Sequence, residues 1–260
     1  MPKFNDLDLK EWKQSDILTD SLWLIPERDN SGKHDGSYHG NFIPQIPRQL
    51  IQRYTKKHDT VFDPFLGSGT TAYEAENLDR CFIGIDIQNK LIKDIEKKID
   101  PETKHCKLIT GDSTQVSTFK LVDDTLTDYP KDKVQLAILH PPYANIIKFS
   151  QLKNDLSNAS SLSNFLDRFT QVVQNTIDIL EDKGYLAIVI GDMYTKGEWV
   201  PLGFYCMKAT QKLGLKLKSI IIKNMAGNRA KRKQEGIWRY RALSSDYYIF
   251  KHEYILIFKK

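Results

Sequence analysis

DTVFDPFLGSGTTAYEAENL, residues 59–78, changes character twice along its length. It opens as a short β-branched and aromatic run closed by Pro64, which reads as a strand. Gly67 and Gly69 then mark a turn, and TTAYEAENL continues as a helix. Glycines between a strand and a helix let a ligand approach the backbone closely and permit unusual dihedrals. The loop lacks the full G-x-G-x-x-G spacing of a dinucleotide-binding turn and the lysine–serine pair of a P-loop, which argues against an NTPase.

The same alternation continues outward. CFIGIDI (81–87), CKLITGDS (106–113), VQLAIL (134–139) and YLAIVIGD (185–192) read as strands. IPRQLIQRYT (46–55), KLIKDIEKKI (90–99), FLDRFTQVVQNTIDIL (165–180) and FYCMKATQKLG (204–214) carry apolar residues at helical spacing. Strands alternating with helices predict an α/β fold with a doubly wound, mostly parallel sheet. The ending differs: LKSIIIK (217–223) and HEYILIFKK (252–260) are strands with no apolar helix between them, which predicts an antiparallel hairpin. The expectation is one domain, 1–260, with a seven-stranded sheet. It carries a polar N-terminal extension, 1–38, and two candidate recognition insertions, 144–164 and 224–245.

Composition is that of an ordinary globular chain, 40% hydrophobic and 27% charged. No apolar run reaches membrane-spanning length and MPKFNDLDLK is too polar for a signal peptide, so a cytoplasmic location and no membrane partner are expected. Cys81, Cys106 and Cys206 are widely spaced and odd in number, which fits free thiols rather than a disulfide framework or a zinc site; no metal is expected. The net charge is +5, and residues 224–245 carry all of it, with six basic residues against Glu235 alone. Arg229, Lys231, Arg232, Lys233, Arg239 and Arg241 interleave there with Trp238 and Tyr240. A charge run is often just a solvated loop. Stacking aromatics beside phosphate-holding cations tilt this one towards nucleic acid.

In open α/β sheets ligands bind at the carboxyl ends of the strands. Asp63, Asp86, Asp112, His140 and Asp192 all fall at predicted strand ends. Each carboxylate alone could cap the following helix. Three in succession after a glycine turn suggest a nucleoside cofactor: Asp86 on ribose hydroxyls, Asp112 or its backbone on an adenine amino group, and a positive or zwitterionic end near Asp63.

DPFLGSGTT followed by FIGIDI resembles motifs I and II of the S-adenosylmethionine-dependent DNA amino-methyltransferases. GNFIPQIPRQLI (40–51) is similar to their motif X, TGDS (110–113) to motif III, and HEYILIFKK to the last core strand. HPPY (140–143) stands where the family has Asp, Asn or Ser before Pro-Pro-Tyr. The resemblance spans roughly 40–260 and implies a class I, Rossmann-like methyltransferase with S-adenosylmethionine held by Phe42, Asp63, Phe65, Gly67, Gly69, Thr70, Asp86, Ile87 and Asp112.

It also implies a catalytic turn, His140, Pro141, Pro142 and Tyr143. An exocyclic amine is a poor nucleophile because its lone pair is delocalised into the ring. Acceptors aimed at both amino protons counter this: the side chain at 140, and the carbonyl of residue 141, stiffened by the prolines. Tyr143 would stack on a base flipped from the duplex. A neutral imidazole keeps one acceptor nitrogen and a protonated one has none, so His140 is expected to act neutral. The implied partner is double-stranded DNA, gripped by the basic window; a homodimer and a cognate restriction or specificity subunit are left open. The implied product is adenine-N6 ahead of cytosine-N4. The rivals are guanine-N2 or another amino group of RNA, and a non-catalytic DNA-binding accessory subunit.

Overall fold

The computed structural model describes residues 4–38, 40–144, 146–225 and 235–260. Arg229, Lys231, Arg232 and Lys233 lie outside the described residues. In chain order the elements are β1 (Leu22–Trp23), α1 (Gln45–Tyr54), β2 (Thr60–Asp63), α2 (Thr70–Asn77), β3 (Cys81–Asp86), α3 (Asn89–Glu96), β4 (Cys106–Thr110), α4 (Val116–Leu126), β5 (Val134–Leu139) and α5 (Leu162–Ile179). There follow β6 (Leu180–Ile190), β7 (Met193–Thr195), β8 (Glu198–Val200), α6 (Leu202–Lys212), β9 (Lys216–Asn224), α7 (Glu235–Leu243) and β10 (His252–Lys259).

Among the described residues eight strands form the main sheet, in the order β1-β9-β10-β6-β5-β2-β3-β4. Pairings from β6 through β5, β2 and β3 to β4 are parallel, and β10 is antiparallel to both β6 and β9. All seven expected strands are present, hairpin included. The eighth, β1, comes from the segment expected to be an irregular extension. It is only two residues long, but Trp23 is buried and runs parallel to β9, and the Ile25 N–H donates to the Asn224 side chain at 2.8 Å.

The sheet is covered on both faces, which is why β2, β3 and β5 are buried at every position. Alternate residues of one strand enter two separate cores. Ala137 and Leu139 of β5, Leu186 and Ile188 of β6, and Leu256 and Phe258 of β10 pack with Phe119 of α4, Phe165 and Phe169 of α5 and Cys206 of α6. Leu136, Ile138, Ala187, Val189, Ile255 and Ile257 face the other way, onto Ile46 and Leu50 of α1, Ala72 of α2 and Ile92 and Ile95 of α3. Cys81 and Cys206 are buried free thiols and Cys106 is half-buried. Among the described residues no helix is long and apolar enough to cross a membrane.

Besides β1, three features differ from the reading of the sequence. Val116–Leu126 is a helix, where no element had been expected. The loop after β6 folds into the β7–β8 hairpin. The basic window contains α7, on which Arg239 and Arg241 are exposed and the Arg241 guanidinium lies over the Trp238 ring, 5.3 Å from its centroid.

A polar cluster around buried Glu74 adds to the anchoring of the N-terminal segment. Glu74 of α2 takes the Arg48 guanidinium through both oxygens, at 2.8 and 3.0 Å, and meets His34 Nε2 at 2.6 Å. Arg48 also reaches Asp29 at 2.7 Å. Burial alone would raise the Glu74 carboxyl; the donors from His34 and Arg48 outweigh it and hold it below its ordinary value. Removing the cation leaves a carboxylate whose side chain is 1% exposed with His34 as its one remaining side-chain partner among the described residues. Arg48→Met is therefore expected to cost about 3 kcal/mol in urea unfolding. A loss below about 1 kcal/mol would mark the cluster as no stronger than a surface pair.

Candidate active site

β2 is paired on one side with β3 and on the other with β5. The chain thus leaves the sheet in opposite senses after β2 and β5, and a crevice opens where their carboxyl ends diverge. A cavity of about 920 Å³ lies there, towards the upper end of the range for small-molecule sites, about 300–1,000 Å³. Pro64–Ser68 and Thr70 line it from the β2 turn, Asp86–Gln88 from β3, Gly111–Ser113 from β4 and His140–Tyr143 from β5.

Of the residues expected to hold a cofactor, Phe42, Phe65, Gly67, Thr70, Asp86, Ile87 and Asp112 line this cavity. Asp63 and Gly69 do not. Asp63 is 1% exposed; one oxygen accepts from the Phe65 N–H at 2.8 Å and the other from the Thr71 hydroxyl at 2.6 Å. It ties the strand end to the turn and helix, and burial pushes its carboxyl up to about 7 despite those donors. Gly69 takes φ +87° against the Ile95 side chain, where an added Cβ would sit 3.0 Å from Cγ1. It lets the chain reverse into α2.

Asp86 shapes the turn and also faces the cavity. It accepts the Gly67 N–H at 2.9 Å and the Gln88 N–H at 2.8 Å. Burial pushes its carboxyl up to about 6, partly offset by these donors. Two oxygens with four lone-pair sites retain acceptor capacity. Asp112 uses one oxygen on the N–H and hydroxyl of Thr114. The Oγ of Ser68 is buried with no partner among the described residues. Spare acceptors on Asp86 and Asp112, a glycine backbone at the wall and an unsatisfied hydroxyl fit S-adenosylmethionine, the donor that the resemblance implies.

The sequence reading missed one wall. Tyr38 lines the cavity next to Asn41 of the 40–51 stretch, so part of the supposed extension is its roof. Asn41 accepts from Thr70, and Tyr38 stacks on Phe149 with centroids 6.3 Å apart. Phe149, Asp155 and Leu156 bring the 144–164 stretch into the same wall. Here Asp155 is held by Ser150 and by both the N–H and hydroxyl of Ser157. Tyr38 carried no signal, lying in a polar stretch without periodicity.

The β5 turn is tightly built. The Ala144 N–H donates to the Pro142 carbonyl at 2.8 Å, and Ala144 has φ +49°. Among the described residues nothing donates to the Pro141 carbonyl. The Tyr143 ring rests on Gly191, where a Cβ would come within 2.8 Å of Cε2, and its hydroxyl donates to Glu253 at 3.1 Å. His140 packs edge-on against Phe42, centroids 4.7 Å apart. Burial lowers its imidazole to about 4, so it is neutral at pH 7 and keeps an acceptor nitrogen, as its expected part requires. Asp192 is committed elsewhere: it accepts from the Trp199 indole, the Gly203 N–H and the Tyr254 hydroxyl, each at 3.0 Å. It fastens the β7–β8 hairpin and the start of α6. Among the described residues no cluster of His, Cys, Asp and Glu could hold a metal ion.

Comparison with known proteins follows the same lines. A family model described as DNA methylase matches residues 3–97 and 134–260. The type II methyltransferase M.BglI of Bacillus subtilis is 31% identical over 135 residues, 52% of this chain and 35% of that protein. M2.DpnII of Streptococcus pneumoniae is 36% identical over 102 residues, 37% of this chain and 35% of that protein. The matches thus span about a third of the length of these curated relatives. In fold, TrmN from Thermus thermophilus superposes with a TM-score of 0.50 at 14% identity, over 84% of this chain and 49% of that one. The family match takes in the glycine turn, the strand ending at Asp86 and the His140 turn, and this chain belongs to the DNA methylase family.

Proposed function

We propose that the protein transfers a methyl group from S-adenosylmethionine to the exocyclic amino group of a base extruded from double-stranded DNA, adenine-N6 ahead of cytosine-N4. One observation carries this reading: the glycine turn with Asp86 and Asp112, and the His140–Tyr143 turn, line one cavity. S-adenosylmethionine supplies a methyl already activated by its sulfonium, so the protein's task is to position and polarise the acceptor.

His140 and the Pro141 carbonyl divide the two amino protons between them. With both protons held, the nitrogen lone pair turns away from the ring and the growing positive charge meets two acceptors. When the methylated nitrogen sheds a proton, the His140 nitrogen already bonded to it is the nearest acceptor. Tyr143, fixed by Gly191 and Glu253, offers its ring to the flipped base. Phe42 covers His140, and the 38–43 and 146–156 segments keep bulk water from the reacting atoms. Exposed Arg239 and Arg241 on α7 grip phosphates, and Arg229, Lys231, Arg232 and Lys233 of the same basic window are proposed to contact DNA as well.

The test is methyl transfer from labelled cofactor to duplex DNA and, in parallel, to transcripts. His140→Ala is expected to lower kcat/KM on duplex DNA about 100- to 1,000-fold with cofactor affinity intact, and His140→Asn, which restores an acceptor, to lose less. Full activity of the alanine variant would remove His140 from the chemistry, and methylation of transcripts alone would replace DNA with RNA.

Cofactor binding should also respond to pH through Asp86. Its carboxyl, raised to about 6, is mostly protonated at pH 5 and ionised at pH 7, and hydroxyl donors prefer the carboxylate. Affinity is expected to rise across that interval, with proton release on binding, and Asp86→Asn should flatten the rise. Titration calorimetry of wild type and variant from pH 5 to 8 checks it; parallel curves would deny Asp86 a direct part.

A further inference from the structure

Lys223, near the end of β9, and Glu253, near the start of β10, are cross-strand partners. Their side chains form an ion pair at 2.9 Å and are 7% and 8% exposed. The next partners along the same face are Ile221 and Ile255, both buried in the apolar core. An apolar pair would continue that file, and burying an ion pair instead rarely adds stability. The polar pair stands where the file reaches the cavity, and both residues line it beside His140. Glu253 uses its second oxygen on the Tyr143 hydroxyl.

We propose that Lys223 is a positioning residue: by pairing with Glu253 it offsets the pull of that carboxylate on a proton at His140, and so extends to lower pH the range over which the imidazole remains an acceptor. Among the described residues the ionisable groups on the elements packed against His140 are Tyr143 on its own turn, Asp192 after β6, Lys223 on β9, His252 and Glu253 on β10, and Arg28, which donates to the Phe42 carbonyl at 2.9 Å. Asp192 is taken up by Trp199, Gly203 and Tyr254, and His252 by the Tyr254 hydroxyl at 3.2 Å. Lys223 and Glu253 remain as the charges that act on the imidazole, in opposite senses: after burial, which dominates, Glu253 raises its affinity for a proton and Lys223 lowers it. A carboxylate left alone beside a histidine stabilises imidazolium, which has no acceptor nitrogen.

The effect on the imidazole can be read without any methylation. Long-range proton–nitrogen NMR titration of the full chain follows its six histidines, with His140→Asn identifying the signal of His140. Lys223→Met is expected to raise the His140 titration by about one pH unit or more. Lys223→Arg should restore the wild-type curve, and Glu253→Gln should not raise it. A general loosening of the site would admit water and raise His140 in both Lys223→Met and Glu253→Gln, and that result overturns the proposal. So does an unchanged titration in Lys223→Met. The kinetic consequence rests on the reading of His140 as amino acceptor: with cofactor saturating, so that Asp86 does not set the limb, the acid limb of kcat/KM for DNA in Lys223→Met should move up with the titration. A titration that moves without the kinetic limb would leave the Lys223 assignment standing and sink the acceptor role instead.

Discussion

The parallel pairing of β2 with both β3 and β5 is the constraint on which the rest depends. Because β2 lies between them and the chain departs in opposite senses on its two sides, the loops after β2 and β5 cannot pack on one another. The crevice that results is a property of topology rather than of any side chain. Cofactor-type residues come from one lip, the β2, β3 and β4 ends. The His140 turn comes from the other. The two apolar cores, one on each face of the sheet, make that edge rigid enough for small displacements of a polar group to matter.

On this frame, polar residues sort by where their hydrogen bonds are spent. Asp63 and Asp192 spend theirs inward, fastening loops to strands and helices. Asp86 divides its capacity between the glycine turn and the cavity. The Pro141 carbonyl and the His140 ring nitrogens meet no hydrogen-bond donor or acceptor among the described residues, although both residues line the cavity. Unspent hydrogen-bonding capacity next to a cavity is what a site for an amino group would present, and a fully satisfied carboxylate is what a scaffold presents.

The core of the fold was legible because buried strands and amphipathic helices write their burial into residue spacing. Elements held by other means left no such trace. QVSTFKLVDDTL, which contains α4, is rich in Ser, Thr, Asp and β-branched residues, weak helix formers that packing of Phe119, Val122 and Leu126 overrides. β1 is two residues long and exists through β9. The β7–β8 hairpin is pinned by Asp192 from outside itself. In the site, glycine turn and HPPY were visible because their chemistry is local. The direction of a side chain at a strand end is not, so Asp63 and Gly69, read as cofactor residues, stand behind the cavity wall and support the turn. Tyr38 and the Lys223–Glu253 pair were invisible for a related reason: their roles arise from contacts across the fold, with Phe149, with each other and with Tyr143.

The most direct measurement is a crystal structure of the chain with S-adenosylhomocysteine and a duplex oligonucleotide containing its methylation site. The account predicts that the cofactor's sulfur and the amino nitrogen of an extruded base lie within roughly 5 Å of each other, close enough for one carbon to bridge them. It also predicts that His140 and the Pro141 carbonyl contact that nitrogen. A cofactor seated away from the 64–70 turn, or a base bound with its amino group turned from His140, would contradict it.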